Sequence, residues 1–63
     1  MSIAERLVKA RGERTRESVA REIGVSLSAI SMYETGARVP RDEIKVKLAD
    51  CYHKTVQDLF FAE

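Results

Sequence analysis

The sequence has a single cysteine, one proline, three glycines and no tryptophan among its 63 residues. One cysteine excludes a disulfide framework within the chain. With 44% hydrophobic and 33% charged residues, the composition is neither disordered nor collagen-like. No apolar run approaches the roughly 18 residues of a membrane span, and the N-terminus carries charges where a secretory signal would be apolar. The sequence therefore predicts one small globular domain, residues 1–63, in the reducing cytoplasm and away from membranes.

Clusters of catalytic or metal-ligating residues are also missing. Cys51 has no second cysteine to pair with, and His53 has no serine, cysteine or carboxylate at catalytic spacing. We interpret Cys51 as a small, partly buried thiol and His53 as a residue at a helix end. The sequence predicts no enzymatic activity, no metal ion and no cofactor.

Charge is nearly balanced overall, with a net charge of +1, but it is unevenly distributed. Residues 1–41 carry eight arginines and lysines against five acids, a net of +3. Residues 42–63 carry three lysines against five acids, a net of −2. This asymmetry indicates weakly that the basic half faces a polyanion. A charged surface that serves only solubility is the alternative.

Apolar residues recur at helical spacing along almost the whole chain, and no alternating pattern of useful length stands outside it. The pattern predicts an all-α domain of five short helices. The first helix is expected to start after Ser2 and to end at Gly12, and the second to start at Thr15. The third is expected to start at Ser26 and to end at Gly36. A fourth helix is expected over about residues 41–53, and Thr55 is expected to cap a fifth.

The segment over about residues 16–35, RESVAREIGVSLSAISMYET, has the spacing of two helices that cross closely. Ala20 is small where the two helices meet, and Gly24 supplies a turn that needs a positive φ. Val25 fills the corner, and Ser26 caps the following helix. This is the helix-turn-helix layout, whose second helix enters the DNA major groove.

Two blocks, TRESVAREIGVSLSAISMYETGARVPRDE and VQDLFF, resemble the phage repressor/Cro superfamily, also called XRE-type helix-turn-helix regulators. The resemblance covers roughly residues 3–61. Its most specific part is the combination of Ala20, Gly24, Ile30 and Tyr33-Glu34-x-Gly36-x-Arg38-x-Pro40. It implies a compact five-helix, lambda-repressor-like domain that binds operator DNA, commonly as a dimer. The chain departs from the family at Arg16, where glutamine is frequent, and at His53, where glycine is frequent.

The resemblance also implies which residues contact DNA. Base contacts are expected from Leu27, Ser28, Ser31 and Met32, although Leu27 and Met32 could instead belong to the core. Since this set lacks arginine, glutamine and asparagine, we expect modest discrimination for each base and some reliance on DNA shape. Phosphate contacts are expected from Arg16, Ser26, Thr35, Arg38 and Arg41.

Two further pairs have expected structural roles. The resemblance implies that Arg11 forms an ion pair with Glu34, which would lock the first helix to the end of the third. Phe60 and Phe61 are expected at a dimer interface, with one ring completing the core and the other exposed.

Taken together, these features predict a sequence-specific regulator of transcription, in the simplest case a repressor that binds a palindromic operator as a homodimer in the nucleoid. The alternative is a protein-interaction module of the same fold, such as an antitoxin or a subunit that docks to a regulatory protein. Met1 and the acidic Glu63 lead us to expect a complete small protein.

Overall fold

The computed structural model describes residues 2–61, so Met1 and Glu63 lie outside the described part of the chain. Four α-helices and one π-helix follow each other, with no strand within residues 2–61. They are α1 (Ile3–Arg11), α2 (Arg16–Ile23), α3 (Leu27–Thr35), α4 (Asp42–Cys51) and a five-residue π-helix (Gln57–Phe61), which we call the C-terminal helix. The predicted all-α, five-helix architecture is confirmed. None of the described helices is long and apolar enough to cross a bilayer.

Side-chain hydroxyls set where the helices begin. Ser2 Oγ accepts from the Glu5 amide at 3.1 Å, and the Glu5 carboxylate accepts from the Ser2 amide at 3.0 Å, which completes a capping box. Thr15, Ser26 and Thr55 each accept from the amide three residues later, at 3.0 to 3.1 Å. Because a cap of this kind stabilises a helix by about 1 kcal/mol, these four positions fix the starts of short helices in a small domain.

The turn between α2 and α3 depends on Gly24, which has φ 76° and ψ 37°. In this left-handed conformation the Gly24 and Val25 amides both donate to the Ala20 carbonyl, at 2.9 and 3.0 Å. The chain therefore passes from α2 to α3 through only three residues. Ala20, only 4% exposed, belongs to the core, which agrees with the expectation of a small residue at this position.

Within residues 2–61, fourteen buried hydrophobic residues form one core; thirteen lie in the five helices, and Tyr52 directly follows α4. The most deeply buried are Leu7, Val19, Ile30, Leu48 and Leu59. Since α3 contributes residues to this core from one side, its opposite side is left at the surface.

The C-terminal phenylalanines differ in exposure: Phe60 is 4% exposed and Phe61 is 57% exposed. This agrees with the expectation that one ring completes the core and the other is exposed. The Phe60 ring is buried within the chain and offers little surface to a second copy, so the expected dimer interface would depend on Phe61 instead.

The end of α4 also differs from the prediction of a helix reaching residue 53. The helix ends at Cys51, and His53 follows with φ 56°, a positive value otherwise confined to glycines among residues 2–61. The Lys54 amide donates to the Ala49 carbonyl at 2.9 Å, and the His53 amide donates to the Asp50 carbonyl at 3.2 Å. These two bonds form a Schellman motif, which stops the helix with a histidine in the position that glycine usually takes.

Candidate nucleic-acid interface

The outer side of α3 carries the four residues expected to contact bases. At 3.6 residues per turn, Leu27, Ser28, Ser31 and Met32 occupy an arc of about 140°, while the buried residues of the helix lie on the other side. Leu27 is 45% exposed, Ser28 is exposed, and Ser31 and Met32 are half-buried. We call these four residues the α3 arc. The exposure of Leu27 rules out the alternative that it is a core residue, whereas Met32 borders both regions.

Two arginines, Arg38 and Arg41, lie in the segment between α3 and α4. Arg38 is exposed and has no ion-pair or hydrogen-bond partner among the side chains of residues 2–61. Arg41 lies 3.6 Å from Glu43, but both side chains are at least 70% exposed, so this pair contributes little. Both guanidinium groups are therefore available to an anion.

The two hydroxyls expected to contact phosphate already have partners in the backbone. Ser26 Oγ accepts from the Ala29 amide at 3.0 Å, which leaves its proton free to be donated. Thr35 Oγ1 instead donates to the Met32 carbonyl at 3.3 Å. Thr35 would have to give up this bond before it could donate to a phosphate, whereas Ser26 would not.

A buried carboxylate at the end of α3 binds two arginines. Glu34, with a side chain only 1% exposed, accepts from Arg11 Nε at 2.8 Å and from Arg11 Nη2 at 3.2 Å. The same carboxylate accepts from Arg16 Nε at 2.9 Å. The hydrogen bond with Glu34 raises the pKa of Arg11. The cluster joins α1, α2 and α3, so it fixes the end of α3 relative to both preceding helices.

The Arg16 contact was not predicted from the sequence, where Arg16 was assigned to phosphate alone. Its side chain remains 44% exposed despite the bond to Glu34. The outlying amino groups of Arg16 have no hydrogen-bond partner within the described part of the chain. The residue can therefore bind an internal carboxylate and an external anion at once.

A second arginine network, also absent from the sequence prediction, lies at the end of α4. Arg14 Nη2 contacts Glu22 Oε1 at 2.6 Å, while Nη1 donates to the Cys51 carbonyl at 3.2 Å and lies 3.1 Å from Cys51 Sγ. Burial raises the pKa of the Cys51 thiol. No group of three or more histidine, cysteine or acidic side chains within residues 2–61 could hold a metal ion. Arg14 thus joins α2 to α4.

α4 and the C-terminal helix each expose one large apolar side chain. Phe61 is 57% exposed and Val46 is 50% exposed. Lys45 Nζ lies 5.2 Å from the centroid of the Phe61 ring and 5.6 Å from that of Phe60, so one ammonium group contacts both rings. We call Lys45, Val46 and Phe61 the C-terminal face.

A family model described as helix-turn-helix matches residues 4–59, which include nearly all of the five helices. The chain belongs to the helix-turn-helix family. Members of this Cro/C1-type (XRE) family are DNA-binding regulators of transcription, so the predicted family and the prediction of a non-enzymatic protein are both confirmed.

One relative indicates the kind of regulator to which the chain is similar. The chain is 38% identical over 61 residues to the cryptic phage CTXphi transcriptional repressor RstR of Vibrio cholerae serotype O1. The match covers 94% of the chain and 54% of that repressor. The chain therefore spans about half the length of this helix-turn-helix relative.

Proposed function

We propose that this helix-turn-helix protein is a transcriptional repressor that inserts α3 into the major groove of an operator. The observation that carries the proposal is the α3 arc: one side of the helix is held by the core, and the other presents side chains to solvent. An exposed helix on a rigid support is what reading of the major groove requires. The similarity to a phage repressor supports repression as the outcome.

The chemistry of the α3 arc defines how bases would be recognised. Leu27, at 45% exposure, can pack on the methyl group of a thymine, as can Met32 from the border of the arc. Ser28 and Ser31 can donate to or accept from several bases. Because none of the four can make a bidentate contact to guanine or adenine, each base pair should be discriminated modestly, and DNA shape should supply part of the specificity.

Phosphate contacts would come from both ends of the helix pair. Arg16 stands at the start of α2, while Arg38 and Arg41 follow α3, and Ser26 keeps a free hydroxyl proton. Thr35 could contribute only after rearrangement of its bond to Met32. The three arginines of each of two subunits would neutralise about six phosphates, which gives a slope of about −5 for log K against log salt concentration.

We further propose that the whole domain acts as a two-fold dimer through its C-terminal face. The exposure of Phe61 and Val46 supports this surface as the dimer interface, whereas the buried Phe60 is not part of it. A dimer would bind a palindromic operator with half-sites roughly 34 Å apart on the bacterial nucleoid. Doubling the contacts would compensate for the weak discrimination of each α3 arc.

Selection of binding sites from random duplex DNA, followed by fluorescence anisotropy with the selected duplex, tests the proposed function. Leu27→Ala should change the selected sequence, because it removes an apolar contact to the bases. Val8→Ala is the matched control, since Val8 is 41% exposed but lies on α1 outside the α3 arc. Arg38→Ala should weaken binding to all duplexes alike and reduce the salt slope by about one.

Failure to select any duplex in dilute buffer would contradict DNA binding and favour a protein-interaction module. An equal change of selected sequence in Val8→Ala and Leu27→Ala would contradict the assignment of the α3 arc. Sedimentation of the complex as one subunit per operator would contradict the dimer.

A further inference from the structure

We infer that Glu34 is a positioning residue for DNA binding, because its buried carboxylate holds Arg16 in the orientation that binds a phosphate. This inference rests on the proposed function and deepens it. In the simplest case, a contact to the DNA backbone is made by a charged surface side chain that is free to move. The contact between Arg16 and Glu34 makes this one depend on an anchor inside the protein.

Different nitrogen donors of the Arg16 guanidinium group serve the inward and the outward contact. Arg16 Nε donates inward to Glu34 Oε1 at 2.9 Å, while the amino groups beyond it have no hydrogen-bond partner within residues 2–61. Since the guanidinium is planar and its donors point in fixed directions, fixing Nε also fixes the directions of the remaining donors. Arg16 is the first residue of α2, where free backbone amides also favour an anion.

The charge of the cluster leaves room for an external anion. Arg11 and Arg16 together carry two positive charges, and Glu34 supplies one negative charge. Arg11, at 17% exposure, makes two hydrogen bonds to the carboxylate and contributes most to its compensation. Arg16, at 44% exposure, makes one such bond and reaches solvent. A phosphate bound to Arg16 would complete the neutralisation of the cluster.

The inference and simple electrostatics predict opposite effects of Glu34→Gln. Removal of a negative charge close to DNA should tighten binding if only net charge matters. If Glu34 orients Arg16, the same change should weaken binding, since the guanidinium then loses its fixed direction. The sign of the change in affinity separates the two explanations.

A double-mutant cycle on the full chain gives the decisive measurement. Arg16→Met keeps the apolar stem and removes the guanidinium. Arg38→Met is its matched control, because Arg38 is exposed and contacts no carboxylate of residues 2–61. With the selected duplex, we expect Arg16→Met to weaken binding about tenfold in the wild-type background, as for a charge-assisted hydrogen bond. In the Glu34→Gln background its effect should fall to about twofold or less. Arg38→Met should weaken binding by the same factor in both backgrounds.

Equal effects of Arg16→Met in the two backgrounds, or tighter binding by Glu34→Gln, would overturn the inference. If Glu34→Gln does not fold, the variant Arg16→Lys tests the inference instead. Lysine keeps the charge but lacks the planar group, so the affinity of this variant for the duplex should fall nearly as far as that of Arg16→Met. Affinity of Arg16→Lys within twofold of wild type would overturn the inference. Absence of binding by the wild-type protein would overturn the proposed function itself, whereas wild-type binding with additive effects would overturn only the role of Glu34.

Discussion

Replacement of Gly24 by alanine isolates the conformational requirement of the turn between α2 and α3. The residue has φ 76°, and within residues 2–61 a Cβ atom added there would meet no atom within 4 Å apart from its immediate chain neighbours. The change therefore introduces no clash, and its effect comes from backbone preference alone. Placing an L-residue in the left-handed region destabilises the folded state by roughly 1–2 kcal/mol. Alanine also lowers the conformational entropy of the unfolded chain, which offsets about 0.4–1 kcal/mol of this cost.

The expected net destabilisation by Gly24→Ala is about 1 kcal/mol, or a fall of roughly 4–8 °C in Tm for a domain of this size. Urea unfolding should show this loss without a change in m-value. Gly36→Ala is a matched control with a similar loss, since Gly36 has φ 82° and its added Cβ would lie 3.9 Å from Ala4 Cβ, an ordinary contact. Gly24→Asn should lose less than Gly24→Ala, because asparagine tolerates this region better. An unchanged free energy of unfolding would refute the reasoning, because it would show that the turn does not need a positive φ. A loss above about 3 kcal/mol would also refute it, because a loss of that size requires a steric clash.

Three further predictions concern the C-terminal half. Burial raises the pKa of Tyr52 to about 12 from 10.0, so the stability contributed by the neutral phenol is complete below pH 10 and is lost as the pH rises towards 12. The free energy of unfolding in urea should fall by about 2 kcal/mol over that window, and a Tyr52→Phe variant with the same alkaline slope would contradict this. His53→Gly should raise the free energy of unfolding by about 0.5–1 kcal/mol, because it relieves a positive φ of 56° in a non-glycine residue; a lower Tm would show that the imidazole makes a stabilising contact. Phe61→Ala should shift the monomer–dimer equilibrium in sedimentation at least tenfold towards monomer, whereas Val39→Ala, which trims an apolar residue of 62% exposure outside the C-terminal face, should not; equal shifts would place the interface elsewhere.

Local signals in the sequence were sufficient to predict where the helices lie. The capping hydroxyls of Ser2, Thr15 and Ser26 and the turn at Gly24 act within five residues of chain, so their effect is visible without knowledge of the tertiary structure. The end of α4 was placed two residues too late, because a histidine in a Schellman motif gives no signal comparable to glycine.

The candidate site was only partly accessible from the sequence. Helical periodicity predicted the exposed position of Leu27, because it depends only on spacing relative to the core. The bond between Arg16 and Glu34 joins residues 18 positions apart, and that from Arg14 to Cys51 joins residues 37 apart. Pairs so distant depend on how helices cross, and an arginine at the surface looks the same in sequence whether or not it has a partner. The choice between Phe60 and Phe61 for the core likewise depends on the π-helical turn.

The serines of the α3 arc have a consequence for how such a regulator could diversify. Ser28 is exposed and has no side-chain hydrogen bond within the described chain, so the fold does not depend on its hydroxyl. A longer polar side chain at this position would extend into solvent without disturbing the packing of Ile30 or Tyr33 on the opposite side. If the α3 arc contacts bases as proposed, target preference and folding depend on different residues of one nine-residue helix, and single substitutions in the arc would change the operator without disturbing the core.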